Sequence, residues 1–312
     1  MFTRPLKKDR SFYSLWYNML KRLEGMLMKK SVQLLSAIAA MTTILSALLG
    51  LFYTYGGKVK TVTNIYGQNI ELFGDGIYSN NSLLKVGATK GTDIVMIMVS
   101  LLLLLIVVYQ KRKPVADLLQ TGLLSCLLYA STCLVMGISF NVLFPLYLIQ
   151  FSSSLFAFVL ALSSYSKNDP FKGKIYEKKL IGTSIFLILG GSSVLVWLTF
   201  IIPAIITGVP TEFIEIYTTE PTFVIDLGII FPVCLYSGIA LLKKKKIAYV
   251  LASVLMTLIT CVGCCVIAQT MMQSKLGIVL SPGQVIGLVF VFVMLGAIAI
   301  RLNYKLLKEI RE

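Results

Sequence analysis

The stretch Gly238-Ile-Ala-Leu-Leu-Lys-Lys-Lys-Lys-Ile-Ala-Tyr-Val-Leu251 sets four lysines, Lys243 to Lys246, between two long apolar runs. Each run, 222–242 and 247–269, has the roughly 20 residues that a hydrocarbon core of about 30 Å demands of a helix. Four ammonium groups do not sit in hydrocarbon, so the lysines mark a loop on one side of a membrane. Working outward, the pattern repeats. Eight apolar stretches divide the chain: 32–54, 93–109, 115–137, 142–164, 180–207, 222–242, 247–269 and 284–303. Of the 29 lysines and arginines, 23 fall in alternate gaps between them, and Arg301 sits at the inner end of the last stretch. They lie before Ser31, at Lys111-Arg112-Lys113, in 166–179, at Lys243 to Lys246 and in the C-terminal tail. The remaining gaps hold Lys58, Lys60, Lys85, Lys90 and Lys275. Cytoplasmic loops carry such an excess because positive charge resists translocation. The sequence therefore predicts an all-α fold, a polytopic membrane helix bundle of eight transmembrane helices, N-in and C-in.

Composition agrees. Apolar residues make up 57% of the chain, above the range of soluble domains. The net charge of +15 would suit nucleic acid. Topology already accounts for it, and anionic inner-leaflet lipid facing Lys243, Lys244, Lys245 and Lys246 is the natural counter-charge. No nucleic-acid partner is expected. The first apolar stretch is too long for a signal peptide and has no small-residue cleavage site, so it should remain as a span. The Lys- and Ile-rich composition suggests a bacterial cytoplasmic membrane. Six cysteines all lie inside predicted spans and read as packing residues rather than a disulfide framework. Cys261 and Cys264 form a CxxC, but within a membrane helix. The chain has no histidine, which removes the commonest general base and zinc ligand. No catalytic residue, metal or cofactor is assigned.

Two regions stand apart from the spans. Residues 1–30 form a basic segment. Within it Phe12, Leu15, Trp16, Met19, Leu23 and Met26 recur at helical spacing, which predicts an amphipathic helix in the inner interface ahead of the first span. The rest of the chain, 31–312, is the transmembrane domain. Its outer loop, 56–92, carries the turn signals Gly56-Gly57, Gly74-Asp75-Gly76 and Asn80-Asn81, with β-branched residues between Val59 and Leu72 that could pair as a hairpin. Span two should open at Gly91-Thr92-Asp93, with Thr92 or Asp93 as its cap. Gly190-Gly191-Ser192-Ser193 should admit a neighbouring helix, and Gly283-x-x-x-Gly287 can mark another contact.

Acidic residues are the rarer sign, and several gather on the outer side: Glu71, Asp75, Asp93, Glu212, Glu215, Glu220 and Asp226. Pro221 suits the first turn of span six. Asp226 then lies about 7 Å into the helix at about 1.5 Å per residue. A carboxylate there should face the bundle or a water-filled cavity, near a partner. No basic residue falls in the outer half of a predicted span. The candidate partners are therefore Thr92, Tyr129, Asn141, Tyr217, Gln269 or an incoming cation. The candidate site is an outward-opening polar pocket of Asp226, Glu215, Asp93, Asn141 and Tyr217. Asp93 and Asp226 also read as half-solvated helix-end carboxylates. Pro232 permits a kink in span six.

Three stretches together resemble an uncharacterised family of bacterial eight-span membrane proteins. They are Gly91-Thr-Asp93-Ile-Val, then Leu128-Tyr129 with Gly137-Ile-Ser-Phe140-Asn141-Val-Leu-Phe144-Pro-Leu-Tyr147, then Glu215-Ile-Tyr217-Thr-Thr219 with Val224-Ile-Asp226-Leu-Gly228-Ile-Ile-Phe-Pro232. The resemblance covers roughly 70–302. It implies fold and location and no activity. Segment 1–27 is additional to the family pattern, and Lys111-Arg112-Lys113-Pro114 stands where an Arg-Gly pair is common.

Three functions follow as expectations. The first is a permease-like or ion-coupled transporter using the acidic pocket for a cation or small cationic ligand. The second is a sensor or assembly subunit that presents loop 56–92 to a partner the sequence does not name. The third is a lipid-headgroup enzyme with Glu215 and Asp226 as acid and base.

Overall fold

Prolines and hydroxyl caps set where the helices begin. A computed structural model of the chain describes residues 10–109, 113–166, 169–171, 175–176, 180–211 and 213–310, with 10–24 given by backbone alone. The chain starts with α1 (Arg10–Phe52). A hairpin follows, β1 (Lys60–Thr63) antiparallel to β2 (Asn69–Leu72), with Lys60 opposite Leu72. Then come α2 (Leu83–Val108), α3 (Pro114–Gly137), α4 (Phe144–Ser164), α5 (Ile181–Thr207), α6 (Pro221–Leu242), α7 (Lys246–Lys275) and α8 (Pro282–Leu307). These, with Gly25–Phe52 of α1, are eight helices long and apolar enough to cross a membrane. Pro114, Pro145, Pro221 and Pro282 occupy first-turn positions, where a missing N–H costs nothing. Gly208 closes α5 in the left-handed conformation, φ 70°.

Two boundaries differ from the sequence reading. α2 begins at Leu83, ten residues before Asp93. Its cap is Ser82, whose hydroxyl accepts the Lys85 N–H at 3.2 Å. The expected cap Thr92-Asp93 instead lies about 15 Å along the helix, at about 1.5 Å per residue. The loop between α1 and α2 is therefore 53–82, and Lys85 and Lys90 belong to a span. The first turns of α2 are polar because they face the bundle, which a hydropathy average reads as loop. The second difference is at the N-terminus. Residues 10–24 are helical and run without a break into the first span, where a separate interfacial helix was expected. Side chains of that stretch, and residues 1–9, lie outside the described residues.

α7 is the hub, packed against α2, α3, α5, α6 and α8. α1 and α4 pack together and close the far side against α2 and α3. Helices in lipid gain little from burying apolar surface against each other, so close approach and interhelical hydrogen bonds carry more of the specificity. Both are present. Gln120 donates to Ser36 at 2.9 Å, Ser46 to Gln150 at 3.1 Å, Gln269 to Thr92 at 2.8 Å and Asn303 to Thr257 at 3.0 Å. Each pairs different helices and contributes about 0.6 kcal/mol by general experience with such bonds. As expected, Gly191 lets α6 approach: a Cβ there would overlap the Cys234 side chain. The Gly283/Gly287 expectation fails, since a Cβ on either would meet open space or only the Ser281 hydroxyl. Instead Gly296 of α8 packs on Gly263 of α7.

Two helices lose regularity where they face each other. Ser193–Trp197 of α5 tightens to a 3-10 stretch, and Asp226–Ile230 of α6 widens to a π-turn ahead of Pro232. α8 carries a second π stretch, Val285–Phe290. The end of the bundle holding 53–82, 138–143 and 208–220 is called the loop end below.

Candidate functional site

A cavity of about 560 Å³ lies in the loop-end half of the bundle. Its wall is mostly apolar, from Leu84, Met96, Leu258, Val262, Leu288 and Phe292 among others. Among the described residues four carboxylates face it, Asp93, Glu215, Glu220 and Asp226, against a single lysine, Lys85. Acidic groups thus outnumber basic ones on this wall.

Asp226 opens the π-turn of α6 and is 7% exposed. Trp197 Nε1 donates to its Oδ2 at 2.8 Å, and the Tyr129 hydroxyl donates to its Oδ1 at 3.0 Å. The 3-10 stretch of α5 ends at Trp197, so the two helix irregularities bring donor and acceptor together. Both donors are neutral. Among the described residues no lysine or arginine lies within 4 Å of this carboxylate. Trp197 also packs against Phe223, ring centroids 5.2 Å apart, and Phe213, 6.0 Å apart and edge-on.

Asp93 is also buried, at 5% exposure, on regular α helix. Its Oδ2 accepts from the Tyr78 hydroxyl at 2.8 Å. Tyr78 belongs to the loop before α2, yet its ring enters the bundle against Gly50, where any Cβ would collide with it. Burial and the adjacent Asp93 push the Tyr78 phenol well up, so it stays a proton donor. Lys90, one turn before Asp93, is buried with its Nζ 4.8 Å from the centroid of the Phe73 ring.

Above the cavity the loops are tied to one another. Lys85 and Glu220 form an ion pair at 2.5 Å, with side chains 14% and 11% exposed. Glu215, at φ 46°, accepts from the Ser82 hydroxyl, and its carbonyl accepts from Asn64 Nδ2 at 2.7 Å. Burial pushes the Glu215 carboxyl up, with the Ser82 hydroxyl and the Lys85 charge opposing. Asn81 Oδ1 accepts from both the Tyr217 hydroxyl at 3.0 Å and the Ser139 N–H at 2.8 Å. Three loops are thus fastened through Asn81 and Ser82. At the hairpin base Asp75 accepts the Tyr55 N–H at 2.8 Å and those of Gly57 and Gly76, which hold its carboxyl below the usual range.

Of the five candidate residues, Asp93, Glu215 and Asp226 meet at the cavity. The other two do not line it. Asn141 turns into the α3–α4 connection, its Oδ1 accepting the Leu143 N–H at 2.9 Å and its Nδ2 donating to Ser139. Tyr217 sits in the loop clasp under Lys85. Glu212 lies outside the described residues. Tyr129 is the expected partner of Asp226, and the expected Thr92–Gln269 amides and hydroxyls bond to each other instead. Sequence reasoning missed Trp197, Tyr78, Lys85 and Lys90, and it named Glu220 among the outer acids without placing it in the site. A signal existed for one group: Lys85, Thr89 and Thr92 repeat at helical spacing after Ser82, a polar stripe on a helix that starts early. Cys126, Cys133, Cys261 and Cys265 also line the cavity, while Cys264 faces outward. Comparison of the chain with protein-family models, with curated proteins and with solved structures returns no match, so the site is read from its own geometry.

Proposed function

We propose that the protein is a permease-like membrane protein that binds a cation in the acidic cavity and passes it across the bilayer. The observation that carries this reading is the cavity itself, whose wall holds, among the described residues, four carboxylates and one lysine from α2, α6 and the α5–α6 loop. Polar groups from several helices lining one cavity are what a transport site needs, and intramembrane carboxylates mark ion or substrate paths. The charge asymmetry of the loops supports an orientation with the loop end outside and both termini inside, and the Lys- and Ile-rich composition supports a bacterial cytoplasmic membrane. Lys243 to Lys246, all exposed, then face anionic inner-leaflet lipid. The π-turn at Asp226 and Pro232 supply a weak point in α6 that a gating motion would use.

A second reading rests on α8. It packs mainly on α7, and only 11% of its most apolar stretch is buried. An assembly subunit would leave such a face for another protein. The headgroup-enzyme reading is weaker, because Glu215 is engaged by Ser82 and Asp226 by Tyr129 and Trp197.

The deciding experiment is thermal stability of the purified protein and of Asp226→Asn against inorganic cations, small amines and pH. A ligand-dependent rise in the wild type that disappears in the variant supports the cation site. No ligand response, with the variant equally stable, would make Asp226 structural and favour the subunit reading.

A further inference from the structure

We infer that the occupant of the cavity is an amphiphilic organic cation, an ammonium or phosphonium with apolar substituents, whose charge pairs with Asp226. The inference rests on the cation-site reading above and names its ligand class. Four observations bear on it. The buried Asp226 carboxylate has two hydrogen-bond donors but, among the described residues, no cation within 4 Å. The indole and the phenol hold the carboxylate in place without cancelling its charge, and a buried charge left uncompensated is costly until a counter-ion arrives. Secondly, Trp197, Phe213, Phe223 and Tyr129 all line the cavity on the Asp226 side. Aromatic faces attract cations that have already lost most of their water, and organic cations lose it far more easily than metal ions.

Thirdly, the volume of about 560 Å³ lies in the range of drug-sized sites, whereas a bare ion would leave most of it unfilled. The wall from α7 and α8 adds the apolar side chains Val262, Val266, Leu288, Val289 and Phe292 beside the polar Gln269, Thr270, Gln273 and Gln284. It would take the substituents. Fourthly, among the described residues no three carboxylates or thiols converge as metal ligands. Hard cations need several oxygens in one shell. The acidic groups here are instead dispersed around a greasy chamber.

The chain contains two tryptophans, Trp16 and Trp197. In full-length protein carrying Trp16→Phe, Trp197 is the sole indole emitter and touches the proposed site. Its emission would be titrated with tetraphenylphosphonium, with sodium and manganese chlorides, and with uncharged triphenylphosphine oxide. The expected result is a saturable change with tetraphenylphosphonium alone. Affinity should fall about tenfold or more in Asp226→Asn, the order expected for one lost charge pair. It should recover substantially in Asp226→Glu, which guards against a variant that merely misfolds. A response to sodium or manganese but not to the organic cation would overturn this inference and leave the acidic-cavity reading standing. An equal response to the phosphine oxide, or unchanged affinity in Asp226→Asn, would reduce the cavity to an apolar pocket. Silence toward every cation would overturn both.

Discussion

Asp93 and Asp226 are the same residue type, buried to a similar degree on the same cavity, and they are held in opposite ways. Asp93 sits on regular helix, takes its hydrogen bond from Tyr78 of a loop, and has Lys90 one turn away. Asp226 sits on a π-turn, takes both hydrogen bonds from neighbouring helices, and has neutral partners. The first arrangement fastens loop 53–82 to the bundle. The second joins three helices at one carboxylate. A buried carboxylate is therefore not a site by burial alone. What differs is which elements hold it, since among the described residues neither has a lysine or arginine within 4 Å.

The sharpest break in this comparison comes at the mouth. Lys85→Met removes the one lysine that, among the described residues, faces the cavity and leaves Glu220 buried without its ion-pair partner. Breaking a buried pair costs about 3 kcal/mol or more, so unfolding in a denaturing detergent titration should move well below wild type. Cation affinity should move the other way and rise, because the carboxylates lose an internal competitor. Affinity and stability falling together would contradict the electrostatic account.

Tyr78→Phe comes next. It strips Asp93 of its donor and should cost about 2 kcal/mol, the usual penalty for an unsatisfied buried acceptor. Cation binding should stay near wild type, and the double variant with Asp93→Asn should recover part of the loss. A large loss of binding in Tyr78→Phe would erase the distinction between the two carboxylates. Trp197→Phe should cost less, about 1 kcal/mol, because Tyr129 still donates to Asp226. It should weaken binding all the same, which Tyr78→Phe should not.

The smallest effect is a pH dependence at the loop clasp. Glu215 is raised by burial, so the folded protein binds a proton on it more readily than the unfolded chain. Its contribution to stability therefore falls as pH rises above the ordinary glutamate value of about 4.3 and through the folded one. Asp75 is lowered, and its contribution is lost only as pH drops through its own folded value. Moving from neutral to mildly acidic pH should thus steady the clasp, seen as slower hydrogen exchange around Ser82 and Tyr217. Glu215→Gln should flatten that response, and an unchanged slope in the variant would remove Glu215 from the explanation.

The spans and the gathering of acids at the loop end were legible in the sequence because each is a bulk property of a stretch. Hydrophobic length and lysine placement need no knowledge of neighbours. Asp226 was legible too, since a carboxylate inside an apolar run stands out against its surroundings. Lys85 and Lys90 were misplaced because averaging hydropathy over the first turns of α2 hides a polar face turned inward. Trp197 was invisible for another reason. An indole in an apolar run looks like packing, and its role depends on a 3-10 stretch meeting a π-turn on a helix about thirty residues away. Asn141 misled in the reverse sense: polar, at the right depth, and consumed by its own turn.

The most direct test is uptake of labelled tetraethylammonium into proteoliposomes under an inside-negative potential, with wild type and Asp226→Asn side by side. The account predicts saturable uptake by wild type that is inhibited by tetraphenylphosphonium and falls to the level of protein-free vesicles in the variant. Equal uptake by the two proteins, or none by either above empty vesicles, would contradict it.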